Sequence, residues 1–330
     1  MYELVIGAVV AALFFDFLNG FHDAANSIAT IVGTRILKPI QAVTLAAIAN
    51  FAGPFIFGVA VATTVGKGIV DPSIVTVYVI IAGLIGGIAW DIITWLYGLP
   101  TSSSHALIGG LVCAGLASGG IQAIVFEGLN KVLAFMVVSP LVGLALAFGI
   151  TLLLLHAFKW RSPYIVNKIF GRLQIVSSAF FSLTHGANDG QKTMGVITAV
   201  LLAESVIDHF YVPFYVILMA AAAISLGTFF GGWRIVKTMA FKITNLRPYQ
   251  GFSAETGGGV VLTFMAHFGI PVSTTHAISG AIMGTGATKR LSAVRWGIGK
   301  KIVWAWIITI PASAAMGAVA YKIMTLAGII

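Results

Sequence analysis

Six ionisable side chains stand far from any polar loop in this 330-residue chain: Asp16, Asp23, Asp91, Asp189, Lys192 and Glu255. A charge near the middle of a bilayer-spanning helix costs at least about 2.5–3.5 kcal/mol on insertion scales, so such a group marks a functional site by default. Two of the six share a setting. Gly20-Phe21-His22-Asp23-Ala24-Ala25-Asn26-Ser27 matches Gly186-Ala187-Asn188-Asp189-Gly190-Gln191-Lys192-Thr193, 166 residues further on. Glycine lets backbone approach a ligand closely, and Asp23, Asn26, Asn188 and Asp189 supply carboxylate and amide oxygens. That donor set fits a hard cation such as Na+, or a proton held on a buried Asp. A helix-capping Asp or Asn is the structural alternative; it explains one copy better than two. Asp16, one turn earlier, reads equally as a buried hydrogen-bond partner.

A second motif also occurs twice. Pro100-Thr101-Ser102-Ser103-Ser104-His105 matches Pro271-Val272-Ser273-Thr274-Thr275-His276 at an offset of 171. Proline suits the first position of a helix, so each segment is expected to start one. Ser102, Ser103, Ser104, Ser273, Thr274 and Thr275 then stand beside unpaired N–H groups at the positive end of a helix dipole, which is an anion site. Two such ends pointed at each other suit a small tetrahedral oxyanion. Close helix packing is the structural alternative for these small hydroxyl residues. His105 and His276, one turn in, and His22 are supporting candidates; His156, His185, His209 and His267 have no strong case. No His, Cys or Glu cluster shows metal-ligand spacing, and Cys113 is the single cysteine. No metal beyond a bound Na+, no cofactor and no disulfide are therefore expected. Gly257–Gly259 lacks the context of a nucleotide-binding loop, and Ser-His spacing at 102–105 comes without any hydrolase motif. An enzyme is not expected.

The elements that must position these residues follow from composition. The chain is 58% apolar and 9% charged, with a mean hydropathy of +1.00. Soluble domains run near 25% charged. A crossing needs about 20 apolar residues, so the chain has room for about ten helices and no soluble domain. Apolar runs fall near 4–33, 40–65, 74–98, 100–118, 131–157, 173–202, 210–232, 251–268, 270–286 and 301–326. The first is expected to break at Asn19-Gly20 and the sixth at His185-Gly186. The amino terminus lacks a basic leader and reads as the first membrane segment.

The formal charge of +9 is explained by topology, not by nucleic acid. Fifteen of the nineteen basic residues fall in four loops, near 35–38, 159–172, 234–247 and 289–301, with no acidic residue among them. By the positive-inside rule these loops are cytoplasmic and both termini face out. Matching loops of the two motif-bearing halves carry opposite charge character. The expected fold is thus an all-α integral membrane protein of two inverted-topology repeats, 1–165 and 166–330. Each has about five transmembrane segments, with broken or re-entrant helices meeting near the midplane.

In these paired motifs the chain resembles the inorganic phosphate transporter (PiT) family over essentially its whole length, with His22 where the family has Asn. Gln191-Lys192 after Gly-Ala-Asn-Asp resembles the bacterial and archaeal branch. The resemblance implies a homodimer in the cell membrane that imports inorganic phosphate in symport with Na+ or H+, by alternating access. On that basis Ser102–Ser104, Ser273–Thr275, Gln191 and Lys192 are expected to hold phosphate. Asp23, Asn26, Asn188, Asp189 and Glu255 are expected to serve the coupling ion, with His22, Asp91, His105 and His276 in support. A sulfate or other oxyanion symporter, or an anion channel on the same half-helices, are the alternative readings. A buried acceptor beside the hydroxyls would favour phosphate, which donates a hydrogen bond, over sulfate, which at neutral pH does not.

Overall fold

A computed structural model describes residues 2–71, 74 and 76–330. Met1, Pro72, Ser73 and Val75 lie outside the described residues, so the loop expected near 66–73 and the run expected from 74 are described in part. Twelve helices are described: α1 (Tyr2–Gly33), α2 (Pro39–Phe57), α3 (Ala60–Lys67), α4 (Val77–Tyr97), α5 (Ser103–Gly119), α6 (Phe126–Ala157), α7 (Pro163–Ala203), α8 (Phe214–Phe230), α9 (Trp233–Phe241), α10 (Pro248–His267), α11 (Thr274–Ala287) and α12 (Trp296–Leu326). Short 3-10 turns precede α6 and α12. Six helices among the described residues are long and apolar enough to cross a membrane, or seven if α8 and α9, bent by 67° at their junction, form one span.

The chain breaks elsewhere than the sequence suggests. Neither Asn19-Gly20 nor His185-Gly186 interrupts its helix: α1 and α7 run straight through both. The interruptions fall at Gly58, between α2 and α3, and at Gly231, between α8 and α9. Both adopt a positive φ, of 76° and 66°, that L side chains rarely tolerate. Gly20 and Gly186 serve contact instead. Gly20 lies on the backbone of Ile224 in α8, and Gly186 lies on Asn50 in α2. From the facing side Gly227 meets Phe17 and Phe21, and Gly53 meets Leu183 and Ala187. A Cβ at any of these four would overlap the backbone opposite. Small residues let membrane helices approach this closely, since lipid supplies no hydrophobic drive between them.

Two apolar clusters bracket a polar band. Val5–Phe15 of α1 packs with Val61–Val70 and with Met194–Leu201 of α7. Further along α1, Ala25–Ile31 packs with Phe181, Met239 and Ile278. The start of α1 thus meets the end of α7, so these two helices run antiparallel. Between the clusters the polar residues of both are buried, whereas α6 and α12 present Leu133, Val137, Leu141, Trp304, Ile307 and Val319 outward. Apolar outside and polar inside is the pattern of a lipid-embedded bundle.

Candidate functional site

The helices α5 and α11 begin inside the bundle. Ser102 and Ser273 are their N-caps, accepting from the backbone N–H of His105 and His276 at 3.2 Å. Pro100 and Pro271 stand two residues before the caps instead of inside the first turn, because the serine hydroxyl closes the ring to the third helical residue. Ser103, Ser104, Thr274 and Thr275 occupy the first two helical positions, whose N–H groups have no partner within a helix. Two rings join the starts: His105 meets His276 edge-on with centroids 4.8 Å apart. His276 also stacks on Trp306 at 3.9 Å, and Trp306 Nε1 donates to Pro100 O.

The motifs of α1 and α7 close around these starts. Asn26 Nδ2 donates to Thr275 Oγ1 at 2.9 Å and to Thr274 Oγ1 at 3.1 Å. Thr275 donates to Asp23 Oδ2 at 3.3 Å, and Ser103 reaches Asp23 Oδ1 at 3.5 Å. Thr274 donates to Asp189 Oδ2 at 2.9 Å. Lys192 donates to Asp189, to Ser104 and, at 2.8 Å, to Val272 O. An ammonium has three donors, so all three are placed. Lys192 stands where the other motif has Asn26, and Ser104 where the other has Thr275, so both motifs reach the same hydroxyl position of the opposite half-helix.

Asp23, His185 and Asp189 bring one ligand atom each to within 4.8 Å of one another. Asn50 donates through Nδ2 to Thr228, so its Oδ1 accepts from His185 Nδ1 at 3.1 Å. The His185 Nε2 lies 3.2 Å from Asp189 Oδ2. A proton on Nε2 makes this contact an ion pair, and a ring without it offers Nε2 and the two carboxylates to a cation. His185 is a residue that sequence reasoning passed over. The signal was a stripe of polar residues down α7, at 174, 177, 178, 182, 185, 189 and 192, with helical spacing inside an apolar run.

The remaining candidates lie around this centre. His22 donates through Nδ1 to Asp23 Oδ1 at 2.7 Å, and its Nε2 is within 3.3 Å of Thr94 and Thr101 hydroxyls. Asp91 lies beside His22 and Ser103. Asn188 donates to Thr184 O and Leu262 O, which leaves its Oδ1 without a partner. Two candidates are turned away. Gln191 accepts from the N–H of Val61 and Ala62 at the start of α3, not from the hydroxyl cluster. Glu255 is held apart by Thr30 at 2.5 Å, Gln174 at 3.2 Å and Ser177, none of which the sequence singled out. Among the described residues, the carboxyl groups of Asp16, Asp23, Asp91, Asp189 and Glu255 are buried, against one buried ammonium, that of Lys192. Ionised together they would be costly in a low-dielectric interior, so protons or cations must accompany them.

Comparison with known proteins points one way. The pattern described as "Phosphate transporter family" matches residues 19–317. A Rhizobium meliloti protein described as "Probable low-affinity inorganic phosphate transporter" is 54% identical over 97% of this chain and 96% of its own. A Bacillus subtilis protein with the same description is 43% identical over 98% of each. A solved structure described as "The sodium-dependent phosphate transporter" superposes with a TM-score of 0.89 at 28% identity, over 98% of this chain and 99% of that one.

Proposed function

The chain belongs to the phosphate transporter family, and from that premise we propose that it is a secondary-active symporter that imports inorganic phosphate with Na+ or H+. In this reading it works as a homodimer in the cell membrane with both termini outside, and its inverted halves rock around the central site. The helix order supports the two halves: α1–α6 with its 3-10 turn recurs in kind and sequence as α7–α12. The antiparallel α1 and α7, and their matching glycine contacts to α8 and α2, support inversion between them.

One observation carries the substrate reading. Ser104, Thr274 and Thr275 stand at two helix N-termini within direct reach of Lys192 and Asn26. Hydroxyls, free N–H groups, an amide and an ammonium converge there on one small volume, which suits a compact oxyanion approached from two sides. The Asp23 and Asp189 carboxylates beside the same hydroxyls are acceptors, and they favour hydrogen phosphate, a donor, over sulfate. Lys192 and Asn26 exchange their present hydroxyl and carboxylate partners for phosphate oxygens as the anion enters. Gln191 acts through the position of α3.

Coupling is electrostatic. A divalent anion beside Asp23 and Asp189 is repelled unless cations load with it, so the fully loaded and the empty carrier move while partly loaded ones do not. The Asp23–His185–Asp189 cluster, with Asn26 and Asn188 oxygens close by in sequence, is the proposed coupling-cation site, and Glu255 the second acidic control point. The likeness to a sodium-dependent transporter supports Na+ as that cation. The test is uptake of labelled phosphate into proteoliposomes with Na+ and pH gradients imposed separately and sulfate as competitor. Uptake driven by one gradient and poorly inhibited by sulfate is expected; uptake indifferent to both gradients sinks the symporter reading.

A further inference from the structure

Where α6 ends and α7 and α10 begin, the three helices share a cavity of about 190 Å³, lined by none of the central residues. Lys159, Arg161 and Arg247 line it. The first two follow α6 and the third caps α10, so two stretches far apart in sequence bring their charges to one hollow. Neither loop holds an acidic residue. Among the described residues the ion pairs involve His22, Lys131, His185 and Lys192, so none of the three cavity cations is neutralised.

Their donors are also unspent. Elsewhere Arg234 and Arg295 each give a guanidinium hydrogen to a backbone carbonyl, of Leu96 and of Phe241. Arg161 and Arg247 donate only through backbone N–H, to Phe158 O and to the Gln250 side chain, which leaves both guanidinium forks free. Lys159 stands over the Trp160 ring at 5.3 Å. Lys289, beside Arg247, feels the uncompensated charge: burial and that guanidinium hold its ammonium below the usual lysine range.

Much of the remaining lining is apolar. Leu154, Leu155 and Phe158 come from the last turn of α6 and its C-cap, and Phe158 is braced edge-on against Phe170 at 5.3 Å. Leu152, Leu153 and Leu155 are exposed along the same helix, so the lining runs on into the apolar flank of a membrane-crossing element. Trp160 and Tyr164 are exposed nearby, and such aromatics favour the level where bilayer meets water. Positive charge on one membrane face is general; a cavity that joins free guanidinium forks to an apolar flank is a specific shape. A free oxyanion would use the cations and leave the apolar wall wet. A neutral acyl chain would leave the cations idle. A lipid with a negatively charged phosphate headgroup uses both, since guanidinium holds phosphate in bidentate fashion and basic pockets between membrane helices suit such headgroups.

We propose that this cavity binds an anionic phospholipid, its phosphate on Arg161 and Arg247 with Lys159 alongside, and an acyl chain lying along α6. The positive-inside reading of these loops places that lipid in the cytoplasmic leaflet. The bound headgroup ties the start of α10 to the start of α7. Further along the same two helices Glu255 meets Gln174 and Ser177, and Gly251 lies directly on Gln174 between them. Lipid in the cavity therefore steadies the helix pair that holds Glu255. That consequence rests on the transport reading, whereas the binding does not.

The experiment uses the purified full-length protein in neutral detergent. Its melting temperature is followed against phosphatidylglycerol, against phosphatidylcholine with the same acyl chains, and against inorganic phosphate. Phosphatidylglycerol is expected to raise it saturably and phosphatidylcholine to do little. Arg161 and Arg247 are exposed, so replacing them leaves the core untouched. The double variant Arg161→Gln/Arg247→Gln should raise the half-saturating phosphatidylglycerol concentration at least tenfold. Lys300→Gln/Lys301→Gln, which removes the same charge from another exposed loop, should leave the curve unchanged. Equal responses to the two lipids overturn the site, and so do equal shifts in the two double variants. A response to inorganic phosphate that the arginine variant loses, with none to phosphatidylglycerol, makes this a free-anion site and overturns the lipid assignment. In proteoliposomes, phosphatidylglycerol should speed wild-type phosphate uptake severalfold and the arginine variant not at all. Wild-type uptake indifferent to phosphatidylglycerol removes the link to Glu255. Uptake that ignores both ion gradients removes the transport reading, and the melting curves still decide the site.

Discussion

His185 Nε2 lies 3.2 Å from Asp189 Oδ2, while its Nδ1 is committed to Asn50. A proton on Nε2 or a bound cation satisfies both atoms, and Asp23 completes the triangle. Replacing His185 by Leu removes one ligand and leaves the carboxylates. The half-saturating concentration of the coupling cation should rise about tenfold, equivalent to about 1.4 kcal/mol. Half-saturating phosphate at saturating cation should move less than twofold. Cation titrations of uptake in proteoliposomes check both.

Lys192 ties Asp189 to Ser104 and Val272. Lys192→Gln leaves the Asp189 charge buried without its partner, which costs about 3–5 kcal/mol in comparable pairs. The variant should lose uptake and melt well below the wild type. Adding Asp189→Asn should recover most of the stability and none of the uptake. Thermal melts and uptake of the two single variants and the double variant form a cycle that separates the structural from the transport role.

Glu255 sits within a ring of three donors, Thr30, Gln174 and Ser177. Glu255→Gln keeps size and most hydrogen bonds, so the melting temperature should fall by only a few degrees. Transport should drop at least tenfold, since the titratable carboxyl group is lost. Uptake equal to the wild type would remove Glu255 from the coupling machinery.

The glycine contacts give a purely mechanical prediction. Gly53→Ala pushes a methyl against Leu183 and Ala187 of α7 and should destabilise the fold by about 1–3 kcal/mol, the range for overpacking. Gly7→Ala meets nothing within 4 Å and is the control, with a melt unchanged or slightly raised. Equal melts for the two would contradict the close crossing of α2 on α7.

Much of the protein was legible in its residues because the relevant rules are local. Apolar runs longer than a bilayer is thick, loops sorted by charge, and two motifs each written twice are properties of sequence alone. They led to an all-α membrane protein, to the family, and to Asp23, Asn26, Asp189, Lys192, Ser103, Ser104, Thr274 and Thr275, which the folded chain joins in one network. The location of the helix breaks was not legible. A glycine that bends the chain, such as Gly58, and one that lets another helix come close, such as Gly20, look the same until their backbone angles and neighbours are known. Gln191 was misleading for a related reason: helical spacing puts it on a different face from Lys192, and only packing decided that the face meets the start of α3. His185 gained meaning the same way. It is an ordinary buried polar residue on its own helix. Whether its nitrogens find partners depends on how α1 crosses α7, more than 160 residues away, and that crossing is set by side-chain volumes and glycine contacts along the whole interface.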